Sequence, residues 1–417
     1  MLNAPSIFDF VHIAPEIILG LWGLFVVLLD VSVLRQRSSV LRGRLLGFIS
    51  IIGALLALAS VFIPEFIDLG RATSSSEESL FYGTLVSGLL VDRITCLVIV
   101  LLIFVIALST TWNFTEHWGE YFGLLFWAAL GMILLVASED LITMFLTLET
   151  MTISLYILTA FEKGQRRSAE GGLKYFVYGS VSSALFLFGL SLLYGLTGTT
   201  SLSGIGIALA PAQGIMAGLG NNVAGVLAVL LVLVGFGFKI SAVPFHQWAP
   251  DAYEGAPAAV SAWLATGSKA ASMVALTKVL VQALGPWAYG IDDISAPGWV
   301  GIVALISALT MTYGNFAALA QKNLKRMLAY SSIAHAGYML VGVLAVVVAS
   351  SDHSAAGPIL FYLVVYSIAN IGAFAVAAWL FRDKGTDNID DLNGLGLRYP
   401  VLAVCILLLM LSLIGLP

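Results

Sequence analysis

Three ionisable side chains stand in surroundings with almost nothing else polar. Glu149 lies in Phe145-Leu146-Thr147-Leu148-Glu149-Thr150-Met151, Lys239 follows Gly235-Phe236-Gly237-Phe238, and Lys269 is well inside another apolar run. An ionisable group at the centre of a bilayer costs at least ~2.5–3.5 kcal/mol, and such groups usually face protein or a water-filled cavity on an ion path. Glu149 is about 16 Å of helix rise from the end of its run near Ala160, and Lys269 about 18 Å into its own. All three are expected near mid-membrane depth. The chemistry open to a buried carboxylate and two amines is proton exchange. Burial favours a neutral amine and a neighbouring carboxylate favours an ammonium. Moving Glu149 relative to Lys239 would therefore load or unload Lys239 and pass its proton toward Lys269. The competing reading is a static ion pair that locks helices together.

Pro244 sharpens the transport reading. It lacks an amide hydrogen, so a helix running through it leaves the Ile240 carbonyl without its partner. Gly235 and Gly237 loosen the same stretch. A broken helix beside a buried lysine is how transporters place ions and water at mid-depth. Four further groups are secondary. Lys174 can snorkel to the cytoplasmic side or bridge Glu149 to water, and Lys278, nine positions after Lys269, falls on the opposite helix face and can snorkel outward. His246 and His335 are single histidines on different spans, suited to hydrogen-bonded structural or proton-relay roles. Asp92 and Arg93, near an outer helix end, read as structural, and Glu16 as a span-end acid.

The elements that must hold these groups follow from composition. Of 417 residues, 59% are hydrophobic and 10% charged, against about 25% charged in soluble domains. Apolar runs of spanning length fall at 12–33, 45–63, 86–109, 121–138, 140–160, 173–196, 223–247, 257–284, 298–318, 325–349, 358–381 and 400–417. The ~10-residue alternating segments of a membrane barrel are absent, and lipid then leaves helices, whose backbone bonds are satisfied within each segment. The fold class is all-α, a polytopic transmembrane bundle. Basic residues crowd alternate loops: Arg35, Arg37, Arg42 and Arg44; Lys163, Arg166 and Arg167; Lys322, Lys325 and Arg326; Arg382, Lys384 and Arg398. The intervening loops hold only Arg71. The positive-inside rule makes the basic loops cytoplasmic and the N-terminus periplasmic. The first run lacks a basic leader and reads as a span rather than a cleaved signal.

No ligand set for haem or metal is visible, and neither a Walker loop, a dinucleotide fingerprint nor a hydrolase elbow occurs. Cys96 and Cys405 read as buried small hydrophobes. No cofactor is expected in this chain. A quinone- or haem-binding enzyme is disfavoured by the lack of paired histidines.

Two long stretches resemble a known family. Gly235-Phe236-Gly237-Phe238-Lys239-Ile240-Ser241-Ala242-Val243-Pro244-Phe245-His246-Gln247-Trp248-Ala249-Pro250-Asp251-Ala252-Tyr253-Glu254-Gly255-Ala256-Pro257 is similar to the signature of the antiporter-like membrane subunits of respiratory complex I. Gln321-Lys322-Asn323-Leu324-Lys325-Arg326-Met327-Leu328-Ala329-Tyr330-Ser331-Ser332-Ile333-Ala334-His335-Ala336-Gly337-Tyr338 resembles their second signature. The opening His12-Ile13-Ala14-Pro15-Glu16-Ile17, with Lys rather than His at 269, is most similar to the subunit N branch. The resemblance covers essentially the whole chain. It implies inverted five-helix repeats with discontinuous helices: three N-terminal spans over 1–110, a first bundle over 121–284 and a second over 298–417. By position it matches Glu149, Lys239 and Lys269 to the family's proton-transfer residues, Lys174 to a basic residue of the sixth span, and His335 with its motif to the second bundle. It also implies partners, the other membrane subunits of a bacterial inner-membrane complex I, which bind electron donor and quinone. A multi-component cation/proton antiporter subunit is the alternative. Family members continue past Gly-Leu-Pro to a further lysine or glutamate, so the chain is expected to stop short at Pro417 in its discontinuous helix.

Overall fold

In a computed structural model, residues 7–64, 78–210, 223–288, 298–348 and 357–415 are described. The helices that matter here are α1 (Ala14–Leu29), α2 (Ser39–Ser60), α3 (Leu89–Ser109), α4 (Trp118–Ala137), α5 (Leu141–Thr159), α6 (Arg166–Thr197), α7 (Val223–Ile240), α8 (Trp248–Gly255), α9 (Ala258–Ala265), α10 (Gly267–Lys278), α11 (Trp299–Leu319), α12 (Leu324–Val348), α13 (Gly357–Lys384) and α14 (Pro400–Ile414). Among the described residues, eleven stretches are long and apolar enough to cross a membrane, with α9 and α10 counted together as Ala258–Ala283 and α14 shorter. The apolar runs read from the sequence therefore become helices. The one sheet among the described residues is a two-stranded ribbon, Glu78–Leu80 against Leu85–Ser87. The expectation tied to Leu416 and Pro417 lies outside the described residues.

Burial separates a protein-facing interior from an outer skin. The Ala258–Ala283 span is 89% buried, whereas α1 and α11 are only 22% buried over their apolar windows. Large apolar side chains such as Phe316, Leu319 and Phe361 point outward, which lipid permits and water does not. Cys405 is exposed and Cys96 half-buried, and neither is in a disulfide. The expectation of two buried thiols therefore fails at Cys405, because α14 turns that face away from the interior. Gly131 allows α4 and α5 to meet backbone to backbone: a Cβ there would come within 2.4 Å of the Met151 nitrogen. That approach seats the helix carrying Glu149 in the interior.

The break at Pro244 has a specific construction. α7 ends at Ile240, Ser241 takes the left-handed conformation (φ 61), and the Val243–Pro244 peptide is cis. The Ala242 amide donates to the Gly237 carbonyl (2.8 Å) and the Ser241 amide to the Phe238 carbonyl (3.1 Å). This is the paired closure of a Schellman motif, with serine where glycine is usual. The Trp248 indole donates to the Phe238 carbonyl (2.9 Å), and the Val243 amide donates to Thr310 Oγ1 of α11 (3.0 Å). Backbone groups freed at membrane depth are thus taken up by neighbouring protein. A second interruption falls at Thr266 (φ −110, ψ −76), between α9 and α10 and three residues before Lys269.

Candidate functional site

Lys239 is the last-but-one residue of α7 and is 5% exposed. Its Nζ donates to Thr152 Oγ1 of α5 (2.6 Å), and Thr152 in turn donates to the Leu148 carbonyl. Thr152 stands three residues beyond Glu149 on the same helix, so the two share a face. Glu149 accepts from Ser183 Oγ of α6 (2.5 Å). Carboxylate and ammonium are therefore adjacent in the fold, but each is bonded to a hydroxyl instead of to the other. The static ion pair weighed from the sequence is not formed between Glu149 and Lys239, which are bonded to Ser183 and Thr152.

One side of the Lys239 ammonium is aromatic. Its Nζ is 5.3 Å from the Phe238 ring centre and 5.7 Å from that of Tyr156, where cation–π attraction adds to its accommodation. Tyr175 stacks on Trp248 at 4.1 Å and stands edge-on to Tyr156 at 4.5 Å. Gly179 permits this, since a Cβ there would fall 1.7 Å from the Tyr156 hydroxyl. His246, just beyond the break, is buried with its ring 4.5 Å from that of Tyr313. Among the described residues, the buried atoms Ser241 Oγ and His246 Nδ1 have no hydrogen-bond partner, and buried polar atoms of this kind are ordinarily served by water.

Lys269, on α10, is fully buried. Its Nζ donates both to the Ser332 carbonyl (2.7 Å) and to Ser332 Oγ (2.6 Å) on α12. Ser332 Oγ is shared with the Tyr366 hydroxyl of α13 (2.7 Å). His335 is three residues along α12, its Nδ1 bonded to the Tyr362 hydroxyl. α7 and α10 pack against one another, as do α10 and α12. The Glu149–Lys239 group and the Lys269–Ser332 group are therefore joined through neighbouring helices.

Lys174 lies elsewhere. It is paired with Asp251 of α8 (2.6 Å) and with Glu170 of its own helix (2.7 Å). The bridge from Glu149 to water through Lys174 is not what the structure shows; snorkelling to the basic rim is. Arg326 of α12 bonds Asp251 and Glu254 of α8, and Arg167 also reaches Glu254 (3.3 Å). Together these charges clasp the half-helix after the break. Lys278 does not snorkel outward: it is buried, bonds Glu139 (2.6 Å) and donates to the carbonyls of Val136 and Ser138.

Sequence reasoning missed the hydroxyls: Thr152, Ser183, Thr310, Ser332, Tyr362 and Tyr366. The available signal was their helical offset from an ionisable group, as in Thr152 after Glu149 and Ser332 before His335. Among the described residues, no group of three or more His, Cys, Asp or Glu could hold a metal ion.

Residues 138–417 match the family model described as NADH:quinone oxidoreductase/Mrp antiporter, TM. The chain is 38% identical to NADH-quinone oxidoreductase subunit N 2 of Acidobacterium capsulatum, over 97% of its own length and 78% of that protein. It is similar to a chain in the structure of respiratory complex I from Thermus thermophilus with bound aureothin. That likeness has a TM-score of 0.74 at 32% identity, covering 97% of this chain and 79% of that one. A chain of the Mrp complex from a Dietzia species shares the fold, with a TM-score of 0.76 at 19% identity over 98% and 71% of the two chains.

Proposed function

The chain belongs to the NADH-quinone oxidoreductase subunit N family, and on that premise we propose that Glu149, Lys239 and Lys269 are the stations of its proton path. It is a proton-translocating, multi-pass membrane subunit of complex I whose partners are the other membrane subunits of that complex. Quinone reduction takes place in the assembled complex, and we assign the redox groups to its other subunits. The basic loops assign the N-terminus to the periplasm. The units 1–110, 121–284 and 298–417 are the functional divisions of this reading, with one proton-carrying lysine, Lys239, at the break of the first bundle.

The observation that carries this reading is the bonding of Lys239. A buried amine beside a carboxylate, yet bonded to a threonine hydroxyl, has two accessible arrangements. In one, Glu149 closes on Lys239 and favours the ammonium. In the other, Glu149 stays on Ser183, and Lys239 is left with a neutral acceptor, which weakens its hold on the proton. The proton then goes toward Lys269, whose own ammonium is held by Ser332. Each charge moved against 100 mV costs about 2.3 kcal/mol, so the drive must come from partner subunits. Ser241 Oγ and His246 Nδ1 support hydration at the break, and we place His246 as a relay on the water side of Lys239 and His335 as one beyond Lys269. Lys174 acts indirectly, by holding α8 through Asp251.

The test is proton translocation by vesicles carrying the assembled complex. Lys239→Ala and Glu149→Ala should each lower protons moved per electron pair. Normal ratios in both would remove the assignment.

A further inference from the structure

We propose that Ser332, Tyr366 and Tyr362 form a hydroxyl relay that carries a proton from Lys269 to His335. This inference rests on the proton-path reading above and extends it past Lys269 into the second bundle.

Four observations carry it. First, among the described residues Lys269 Nζ donates to one residue, Ser332, through both its carbonyl and its hydroxyl. Second, Ser332 Oγ and the Tyr366 hydroxyl are 2.7 Å apart in a bond either oxygen can donate, so the pair can run in one polarity during transfer and reverse on resetting. Third, Tyr362 and Tyr366 are one turn apart on α13, with rings nearly parallel (11°) and centres 6.4 Å apart. Fourth, the Tyr362 hydroxyl is bonded to His335 Nδ1, and the His335 ring is 5.0 Å from that of Tyr366. Lys269, Ser332, Tyr366 and His335 are all buried. Hydroxyls are costly in such a place unless bonded; Ser332 is bonded to Tyr366 and Tyr362 to His335, which leaves one gap, between the two tyrosine hydroxyls.

The step balances without any oxidant or reductant. A Lys269 N–H bond breaks as a bond to Ser332 Oγ forms, and the Ser332 proton moves to the Tyr366 oxygen. The proposed relay includes one water between the Tyr366 and Tyr362 hydroxyls to pass the Tyr366 proton on, and the Tyr362 proton moves to His335 Nδ1. Ammonium and neutral imidazole become amine and imidazolium, and every hydroxyl ends with one proton. A single water bridging two hydroxyls is enthalpically nearly as good as a direct bond and carries a modest immobilisation cost. Tyr362 also places the accepting nitrogen, since its hydroxyl fixes which face of the imidazole looks toward α13.

The experiment uses the whole complex in membrane vesicles, reading protons per electron pair alongside quinone-reductase rate. Tyr366→Phe keeps the ring and removes only the hydroxyl. Expected is a fall in the proton ratio to the level of Lys269→Ala, with the same result for Ser332→Ala and recovery in Ser332→Thr, which restores a hydroxyl. A normal ratio in Tyr366→Phe beside a lowered ratio in Lys269→Ala overturns the relay and leaves the proton path standing. Normal ratios in Lys269→Ala and Lys239→Ala overturn the path itself. Should Tyr366→Phe fail to assemble, a ring-fluorinated tyrosine at 366 keeps shape and hydroxyl while making the phenol more acidic. A shift in the pH profile of pumping supports the relay, and an unmoved profile overturns it.

Discussion

Lys239 is bonded to Thr152, one helical turn past Glu149, while Glu149 is bonded to Ser183. The acid and the base of the proposed path are neighbours, each bonded to a hydroxyl instead of to the other. Thr152→Val, nearly isosteric, should leave the ammonium without its acceptor, at a cost of about 1–3 kcal/mol, and draw it onto Glu149. The expected outcome is a slowed pumping-linked quinone-reductase rate with Lys239 trapped in its charged form, and recovery in Thr152→Ser. Rates of the two variants measured in coupled vesicles check this.

Ser241 occupies a left-handed position (φ 61) that closes α7. A non-glycine residue there costs roughly 1–2 kcal/mol, and its hydroxyl has no partner among the described residues. Ser241→Gly should therefore leave the protein as stable or more so, whereas Ser241→Val, branched at Cβ, should destabilise it by more than 1 kcal/mol or so. Thermal inactivation of the purified complex separates the two. Equal losses from both would mean that the serine hydroxyl, not the backbone, decides stability there.

The clasp on α8 predicts a local effect. Asp251 accepts from Lys174 and Arg326, and these groups are partly exposed, so the pairs are discounted for screening. Asp251→Ala should cost about 1–2 kcal/mol and loosen the break rather than the whole bundle. Hydrogen exchange should rise across residues 240–256 and stay unchanged in α4. Uniform protection across both would refute a local clasp.

Beside this clasp, Glu162, Lys325 and Asp387 line a small cavity of about 60 Å³. Burial pushes the Asp387 carboxyl above its ordinary 3.8, with Lys325 at 3.4 Å pulling it back. Burial likewise raises Glu162, again opposed by Lys325. Glu254 adds to the rise at Asp387 and Arg167 opposes it. An acid that holds its proton more tightly when folded stabilises the fold at low pH. That contribution is lost as pH rises from the ordinary carboxylate value through the raised one. Asp387→Asn should flatten the fall in stability just above pH 3.8, measured as thermal stability against pH. An unchanged slope would place the titration elsewhere.

The membrane class, the helix positions and the ionisable groups within the helices were legible in the sequence because lipid tolerates so few charges. Each of Glu149, Lys239 and Lys269 announces itself against an apolar background. Pro244 disclosed the break by removing one amide hydrogen. The second interruption at Thr266 was not legible, since Thr266-Gly267 inside a helix has no comparable signature. Hydrogen-bond partners were also hidden. Serine and threonine are common in membrane helices, and only packing tells which of them meets an amine from another helix. Lys174 illustrates the limit: its depth allowed both water and Glu149, and Asp251, 77 residues away, decided the matter.

The most direct measurement is the number of protons moved per electron pair by vesicles containing the complex, compared between native Lys239 and Lys239→Ala at matched assembly. The account predicts a lower ratio in the variant, reproduced by Glu149→Ala. An unchanged ratio in both variants would contradict it.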